Sequence, residues 1–295
     1  MAKVSDLASP SATRAILDRF DLAPKKSFGQ NFLVNDDVIR KILELSGVSF
    51  DDAVLEVGPG IGTLTNALLK HVRAVVAVER DADLPFVLAH TLQKWEDRFH
   101  LVKKDALDLK VDDMGDLRPN LFVANLPYSV AATLVLDYFW RFPFIDSATV
   151  MVQREVAERM MAKPGTKNYG AYTVKLSMIA EPVGHFIVKP DSFMPRPHVD
   201  SAVIRLNRIA SIDDEHDKEV VNIASIMAEA AFASRRKTIS NSMRTYLSGG
   251  DVVRGRILAV LDELFGAAGI DPQIRGERLA KQDYLALATA FLERD

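Results

Sequence analysis

Leu55-Glu56-Val57-Gly58-Pro59-Gly60-Ile61-Gly62-Thr63-Leu64-Thr65 is the stretch that decides the fold. A β-rich apolar run, A-V-L-E-V at 53–57, ends in glycines spaced Gly-x-Gly-x-Gly. A helical pattern, T-L-T-N-A-L-L-K, follows directly. Glycine permits a tight turn and lets backbone approach a ligand that a Cβ would hold off. The dinucleotide fingerprint, G-x-G-x-x-G, sets a pyrophosphate on the N-terminus of the following helix. Here the last interval is one residue shorter, and Glu56 precedes the first glycine. Taken alone, the turn is equally compatible with glycines needed only for packing.

Outward from this turn, strand-like and helix-like runs alternate. A-V-V-A-V at 74–78 precedes A-D-L-P-F-V-L-A-H-T-L at 82–92. F-H-L-V at 99–102, N-L-F-V-A-N at 120–125, a helical stretch at 130–140 and S-A-T-V-M-V-Q at 147–153 continue the rhythm. Such alternation reads as βαβ units in a parallel sheet. V-G-H-F-I-V at 183–188 and D-S-A-V-I-R-L at 200–206 are strands joined by a proline-rich segment. The expectation is an α/β domain whose mostly parallel sheet ends in an antiparallel pair. Before the turn, residues 1–13 read as a flexible tail. Helical spacing starts near Thr13, and Pro24 stops it. K-K-S-F-G-Q-N-F-L at 25–33 is loop-like. A helix capped by Asn35 or Asp36 ends at Gly47. Residues 208–218 read as a linker, and everything after them has helical period. Residues 14–207 are therefore expected to form the α/β domain and 208–295 a small all-α domain.

The ends of the predicted strands carry the chemistry. Glu56 would repel a pyrophosphate but suits a cation, such as the amino group of S-adenosylmethionine. Glu79 ends the second strand, 21 residues after Gly58. An acidic residue at that distance grips a ribose diol. Asp105 follows the third strand and can accept from an adenine amino group. Each has a plainer reading as a solvated carboxylate. Three after three successive strands form a constellation facing one crevice. Asn125-Leu126-Pro127-Tyr128 follows the fourth strand. The Asn125 side-chain oxygen and a backbone carbonyl near Leu126 can hold an exocyclic amino group while positive charge develops on it. Pro127 stiffens the turn. Tyr128 offers a face for a flipped base, and such stacking is worth ~1–3 kcal/mol. Phe193 could supply a second face, although a core position between two strands is the plainer reading for it.

These motifs, in this order, resemble the bacterial 16S rRNA adenine dimethyltransferase family (KsgA/RsmA). The resemblance is carried by F-G-Q-N-F-L at 28–33, L-E-V-G-P-G-I-G-T-L-T at 55–65, V-E-R-D at 78–81, D-A-L at 105–107 and N-L-P-Y at 125–128. Q-R-E-V-A-E-R-M at 153–160, P-R-P-H-V-D-S-A-V at 195–203 and A-F-A-S-R-R-K-T-I-S-N-S-M at 231–243 extend it. It implies a Rossmann-like class I methyltransferase domain with a seven-stranded sheet, its last strand antiparallel, plus a helical RNA-recognition domain. It implies S-adenosylmethionine as methyl donor. Gln30, Asn31, Leu33, Glu56, Gly58 and Gly60 would serve the methionine end, Glu79 the ribose, and Asp105 and Ala106 the adenine, with Arg80 also among the cofactor-binding residues. Asn125 would serve both cofactor and target, and Leu126, Tyr128 and Phe193 would shape the target pocket. The implied substrate is a pair of adjacent adenosines in the 3′-terminal hairpin loop of 16S rRNA, within an immature 30S subunit. Lys104 and Arg196 are departures from the pattern.

Composition bounds the alternatives. The 295 residues include no Cys, which removes thiol catalysis and Cys-based zinc sites. Six scattered His show no paired helical spacing, so no metal is expected. No apolar run approaches a membrane span, so a cytoplasmic protein is expected. A monomer is expected as well. The net charge of −3 speaks against nucleic acid only as an average. Residues 232–256 carry six Arg and Lys against Asp251 alone. Arg235, Arg236 and Lys237, with Lys25 and Lys26 beside the 28–33 loop, are the candidate RNA contacts. Rival readings are a 23S rRNA methyltransferase of the macrolide-resistance type, a non-catalytic RNA-binding assembly factor and a nicotinamide-dependent oxidoreductase. The shortened glycine spacing and Glu56 disfavour the last.

Overall fold

The structure, a computed structural model, describes residues 3–25, 28–209 and 214–294. In chain order the elements are α1 (Pro10–Arg19), β1 (Phe32–Leu33), α2 (Asp36–Ser46), β2 (Ala53–Val57), α3 (Thr63–Leu69), β3 (Ala74–Glu79) and α4 (Leu84–Thr91). Then come β4 (Phe99–Lys103), β5 (Leu121–Asn125), α5 (Ala131–Arg141), β6 (Ser147–Gln153), α6 (Arg154–Met160) and α7 (Ala171–Ile179). The chain continues with β7 (Ala180–Val188), β8 (Phe193–Met194), β9 (Ser201–Arg208), α8 (Glu215–Phe232), α9 (Ile239–Leu247), α10 (Val252–Ala259), α11 (Leu261–Ala267) and α12 (Lys281–Leu292).

The seven predicted strands form one sheet, ordered β4-β3-β2-β5-β6-β9-β7. β4, β3, β2, β5 and β6 are parallel neighbours, and β9 runs antiparallel to β6. Every residue of β2 and β3 is buried, as expected for parallel strands covered on both faces. β7 lies at the sheet edge, where Pro182 costs no ladder bond. From β2 the chain moves outward to β3 and β4, then returns to the other side at β5. Strand order reverses at this point, and open α/β sheets bind ligands outside the carboxyl ends of the strands there.

Local sequence explains how the turn beside that point is made. Gly58, Gly60 and Gly62 all have positive φ, at 69°, 60° and 87°. Gly62 caps α3, and a Cβ there would come within 3.2 Å of Leu92 and Thr91. Asn35 caps α2 as expected, accepting from the amides of Asp37 and Val38, and Gly47 ends it in the left-handed region.

Three features depart from the sequence expectation. Residues 3–13 are packed rather than a free tail. The Val4 and Ser5 amides donate to Asp36 at 3.0 and 2.9 Å, and the Ser5 hydroxyl donates to the Thr63 carbonyl at 2.8 Å. Short polar residues look solvated in composition, yet here they satisfy groups at the starts of α2 and α3. Two short strands were also not expected: β1 pairs antiparallel with β8, Phe32 opposite Met194 and Leu33 opposite Phe193. Finally, the chain divides into units Met1–Ala157 with Pro182–Arg208, and Glu158–Glu181 with Ile209–Asp295. The expected boundary near 208 is one of three crossings. α7 belongs with the helical unit because Lys175 pairs with Glu229 at 2.6 Å and the Tyr169 hydroxyl donates to the Leu279 carbonyl at 2.8 Å. Those partners lie 54 and 110 residues away, beyond any local pattern.

Candidate active site

A cleft opens at the strand ends of the α/β unit. Five segments line it: residues 28–33, the glycine turn, Val78–Arg80, Lys104–Ala106 and 125–130. Each follows a strand or crosses the strand ends, so the sheet fixes their separation. Every residue expected to hold cofactor or target lines this cleft, except Phe193.

Phe193 is 4% exposed and belongs to the hydrophobic core with Leu33, Val38 and Ile39. Its pairing with Leu33 turns the ring inward, so the expected second aromatic face is a core group here. Tyr128 does line the cleft. Its hydroxyl lies 2.7 Å from Ser201 Oγ, and burial pushes the phenol up, keeping it protonated.

Asn125 sits at the end of β5. Its Nδ2 donates to the Asn31 carbonyl at 3.3 Å, leaving Oδ1 as an acceptor with no donor among the described residues. The Leu126 amide is taken by the Met151 carbonyl at 3.1 Å, which fixes the turn. A Cβ on Gly58 would meet Pro127 at 3.8 Å, so the glycine turn and the Asn125–Tyr128 turn face each other closely.

The acidic groups differ in environment. Glu56 is 1% exposed, and its Oε2 accepts from the Thr65 hydroxyl at 2.7 Å. Glu79 accepts from the Asp81 amide at 2.8 Å and also from the amides of Arg80 and Gly60. Burial raises both carboxyls above the usual range. Asp105 is held below it, first by the Leu107 amide and also by Arg80, whose Nη1 donates at 3.0 Å. The Arg80 guanidinium in turn lies 4.6 Å from the Phe28 ring centroid.

Two contributors have no assignment from sequence. Asp81 is 3% exposed and holds both Lys25 and Gln30. Its Oδ1 meets Lys25 Nζ at 2.5 Å and its Oδ2 accepts from Gln30 Nε2 at 2.7 Å. The Lys25 amide donates to Gln30 Oε1 at 2.8 Å, closing the loop on itself. The signal is present in V-E-R-D, where Asp81 is the second acidic residue. Phe28, the other contributor, lines the cleft beside Arg80.

The expected RNA contacts divide. Lys25 is engaged by Asp81 and Asp83, so it is not a free cation. Lys26 lies outside the described residues. In the helical unit, Arg235 donates to the Lys167 and Tyr169 carbonyls at 3.1 and 2.7 Å and lies 3.6 Å from Glu277. Sequence reading cannot see the two carbonyls, which come from the inserted 158–181 segment. Arg236 and Lys237 are exposed. No group of three or more metal-binding side chains occurs among the described residues. No described helix is long and apolar enough to cross a membrane.

The ribosomal RNA small subunit methyltransferase A of Geobacillus kaustophilus is 38% identical over 293 residues, covering 97% of each chain. A dimethyladenosine transferase from Plasmodium falciparum superposes with a TM-score of 0.72 at 22% identity, over 89% of this chain and 98% of that one. The 23S rRNA methyltransferase ErmE superposes with a TM-score of 0.63 at 26% identity, over 88% of this chain and 98% of that one. Residues 22–259 match the model of the ribosomal RNA adenine dimethylases, and the chain belongs to that family.

Proposed function

We propose that this protein uses S-adenosylmethionine to dimethylate N6 of two adjacent adenosines in the 3′-terminal hairpin of 16S rRNA, on an immature small subunit. The observation that carries the reading is one cleft joining Glu79, Asp105 and the Asn125–Tyr128 turn at the ends of three parallel strands. The small-subunit target rests on the 38% identity with the Geobacillus kaustophilus protein, against 26% with ErmE.

The residues present fit the cofactor. Gly58 and Gly60 present backbone alone to the cleft, and a Cβ on Gly60 would come within 3.2 Å of the Phe32 ring, so the turn has the close-packed form that only glycine allows. Glu56 and Gln30, Asn31 and Leu33 would hold the methionine end, Glu79 the ribose hydroxyls, and Asp105 with the Ala106 backbone the adenine edge. S-adenosylmethionine supplies an electrophilic methyl group on a sulfonium.

The target amine is a weak nucleophile because its lone pair is conjugated into the ring. Asn125 Oδ1 and a backbone carbonyl near Leu126 accept from its N–H groups and stabilise the charge that develops. Such fixed acceptors are typically worth about 3 kcal/mol in rate. Tyr128 stacks on the flipped base, offsetting the few kcal/mol needed to unstack it. No strong general base is required, because N6 becomes acidic once cationic and its proton passes to solvent. After the first transfer the amine keeps one N–H, so a single acceptor suffices for the second.

Incubating purified small and large subunit precursors in parallel with enzyme and cofactor, followed by mass spectrometry of the rRNA, tests the reading. Two dimethyladenosines in small-subunit rRNA alone are expected. Modification only of large-subunit rRNA would overturn the target assignment.

A further inference from the structure

Glu56 and Glu79 are two buried carboxylates in one cleft that face no cation among the described residues. Glu56 is 1% exposed and Glu79 8%. They stand on neighbouring parallel strands, with Glu56 opposite Ala77 and Glu79 two residues beyond. Among the described residues Glu56 has one donor, the neutral Thr65 hydroxyl. Glu79 has backbone amides only.

The surrounding elements explain the isolation. β5, α3 and residues 28–33 carry no ionisable side chain, and β3 contributes Glu79 alone. The two cations of the cleft are engaged elsewhere, Arg80 with Asp105 and Lys104 with Asp113. A carboxylate removed from water beside a second carboxylate is costly to ionise. Burial pushes Glu56 up to about 8; the Thr65 hydroxyl opposes this and Glu79 adds to it.

We propose that Glu56 selects for charge in the cleft: neutral in the ligand-free protein, it gives its carboxyl proton to solvent when a cationic methionine portion enters. The O–H bond breaks with its electron pair left on oxygen, and the proton goes to the buffer. Loss of the cation returns a proton to Glu56. The inference rests on the proposal that S-adenosylmethionine is the cofactor. Because a proton is released on binding, affinity rises with pH, by about tenfold per unit below the ligand-free titration point.

Calorimetric titration of S-adenosylmethionine into the protein at pH 7, in two buffers of different ionisation heat, counts the protons released. Release of close to one proton is expected for the wild type and none attributable to the protein for Glu56→Gln. Between pH 6 and 7.5, the wild-type affinity should rise about tenfold per unit more steeply than that of the variant. The ligand's own amine contributes equally to both proteins. Thr65→Val, which removes the donor to the ionised form, should move the wild-type profile to higher pH. Infrared difference spectra of the wild type should lose a protonated-carboxyl band on binding, a readout that stands even if the variants misfold. Equal proton release by wild type and Glu56→Gln, or no loss of that band, overturns the inference while leaving the cofactor assignment intact. Absence of any binding to the wild type overturns the cofactor assignment itself.

Discussion

Lys25 Nζ lies 2.5 Å from Asp81 Oδ1, and the same carboxylate holds Gln30 through its other oxygen. Asp81 is buried directly beyond the strand that ends in Glu79, so these contacts tie Lys25 and Gln30 to the β3 end of the cleft. Asp81→Asn keeps the size and loses the charge that pairs with Lys25. The expected result is weaker cofactor binding, by about tenfold, with a loss of stability, since Asp81 is buried and the variant leaves Lys25 without its counter-charge there. Lys25, Gln30 and the Asp83 amide hold the Asp81 carboxyl below its ordinary value, although burial opposes them. A depressed carboxyl stabilises the fold above its unfolded value and loses that contribution as pH falls through the folded one. The stability difference between wild type and Asp81→Asn should therefore persist at pH 5, begin to shrink below about pH 4 and vanish only below the depressed folded value, as read from denaturant melts.

Asn125→Ala should abolish methyl transfer without unfolding the protein. Asn125 makes one side-chain bond, of 3.3 Å to the Asn31 carbonyl, and it is only half-buried. Removing that bond should cost about 1 kcal/mol of stability. Removing a fixed acceptor at the reacting amine should cost about 100-fold or more in rate. Transfer of labelled methyl to small-subunit precursors at a near-normal rate would contradict the role.

Glu79→Ala tests a different part of the cleft. Glu79 is buried and draws the amides of Arg80, Asp81 and Gly60 together at the end of β3. Removing it takes away both the expected ribose contact and the acceptor for those amides. Calorimetry should show S-adenosylmethionine binding weakened by about 1–3 kcal/mol, the scale of a hydrogen bond to a charged group. An unchanged dissociation constant would place the ribose elsewhere.

Phe193 shows where sequence and structure part. In D-S-F-M-P-R-P it stands between two strands, beside a motif that resembles a target pocket. Nothing local says that residues 32–33 will pair with 193–194, some 160 positions apart, and close the ring into the core. Phe193→Ala should therefore cost ~3–5 kcal/mol of stability, a typical cost for a deleted core aromatic, and thermal melts should detect it. Tyr128→Ala should reduce methyl transfer at smaller cost in stability. The cleft itself was legible because Glu56, Glu79, Asp105 and Asn125 each lie at or just beyond a strand end, and a parallel sheet aligns its strand ends automatically. The seven strands were legible for a related reason: apolar β-rich runs alternate with helical ones. The packing of residues 3–13 and the assignment of α7 to the helical unit were not, because both depend on partners far away in sequence. Asp36 takes the Val4 amide from 32 residues away, and Glu229 takes Lys175 from 54.

A basic stretch runs from the end of α8 through α9 into α10. Residues 232–256 carry a net charge of +5 in a chain whose total is −3. Within that stretch the structure separates two kinds of cation. Arg235 is bound to the Lys167 and Tyr169 carbonyls, and Arg244 is paired with Asp262 at 2.5 Å. The Arg236 and Lys237 side chains are exposed and make no hydrogen bond or ion pair among the described residues. A cation already held by the protein adds little when a phosphate arrives, whereas a solvated one releases the counterion of that phosphate. Substituting Arg236 and Lys237 together by Ala should leave the melting temperature unchanged and weaken binding to small-subunit precursor RNA. The slope of log affinity against log salt should become shallower by about 0.7–0.9 for each phosphate that the variant no longer neutralises. Arg235→Ala should instead lower stability, because it releases two carbonyls within the helical unit. Salt titrations of RNA binding by the three proteins separate the roles, and a wild-type affinity that does not change between low and moderate salt would rule out phosphate contact by this stretch.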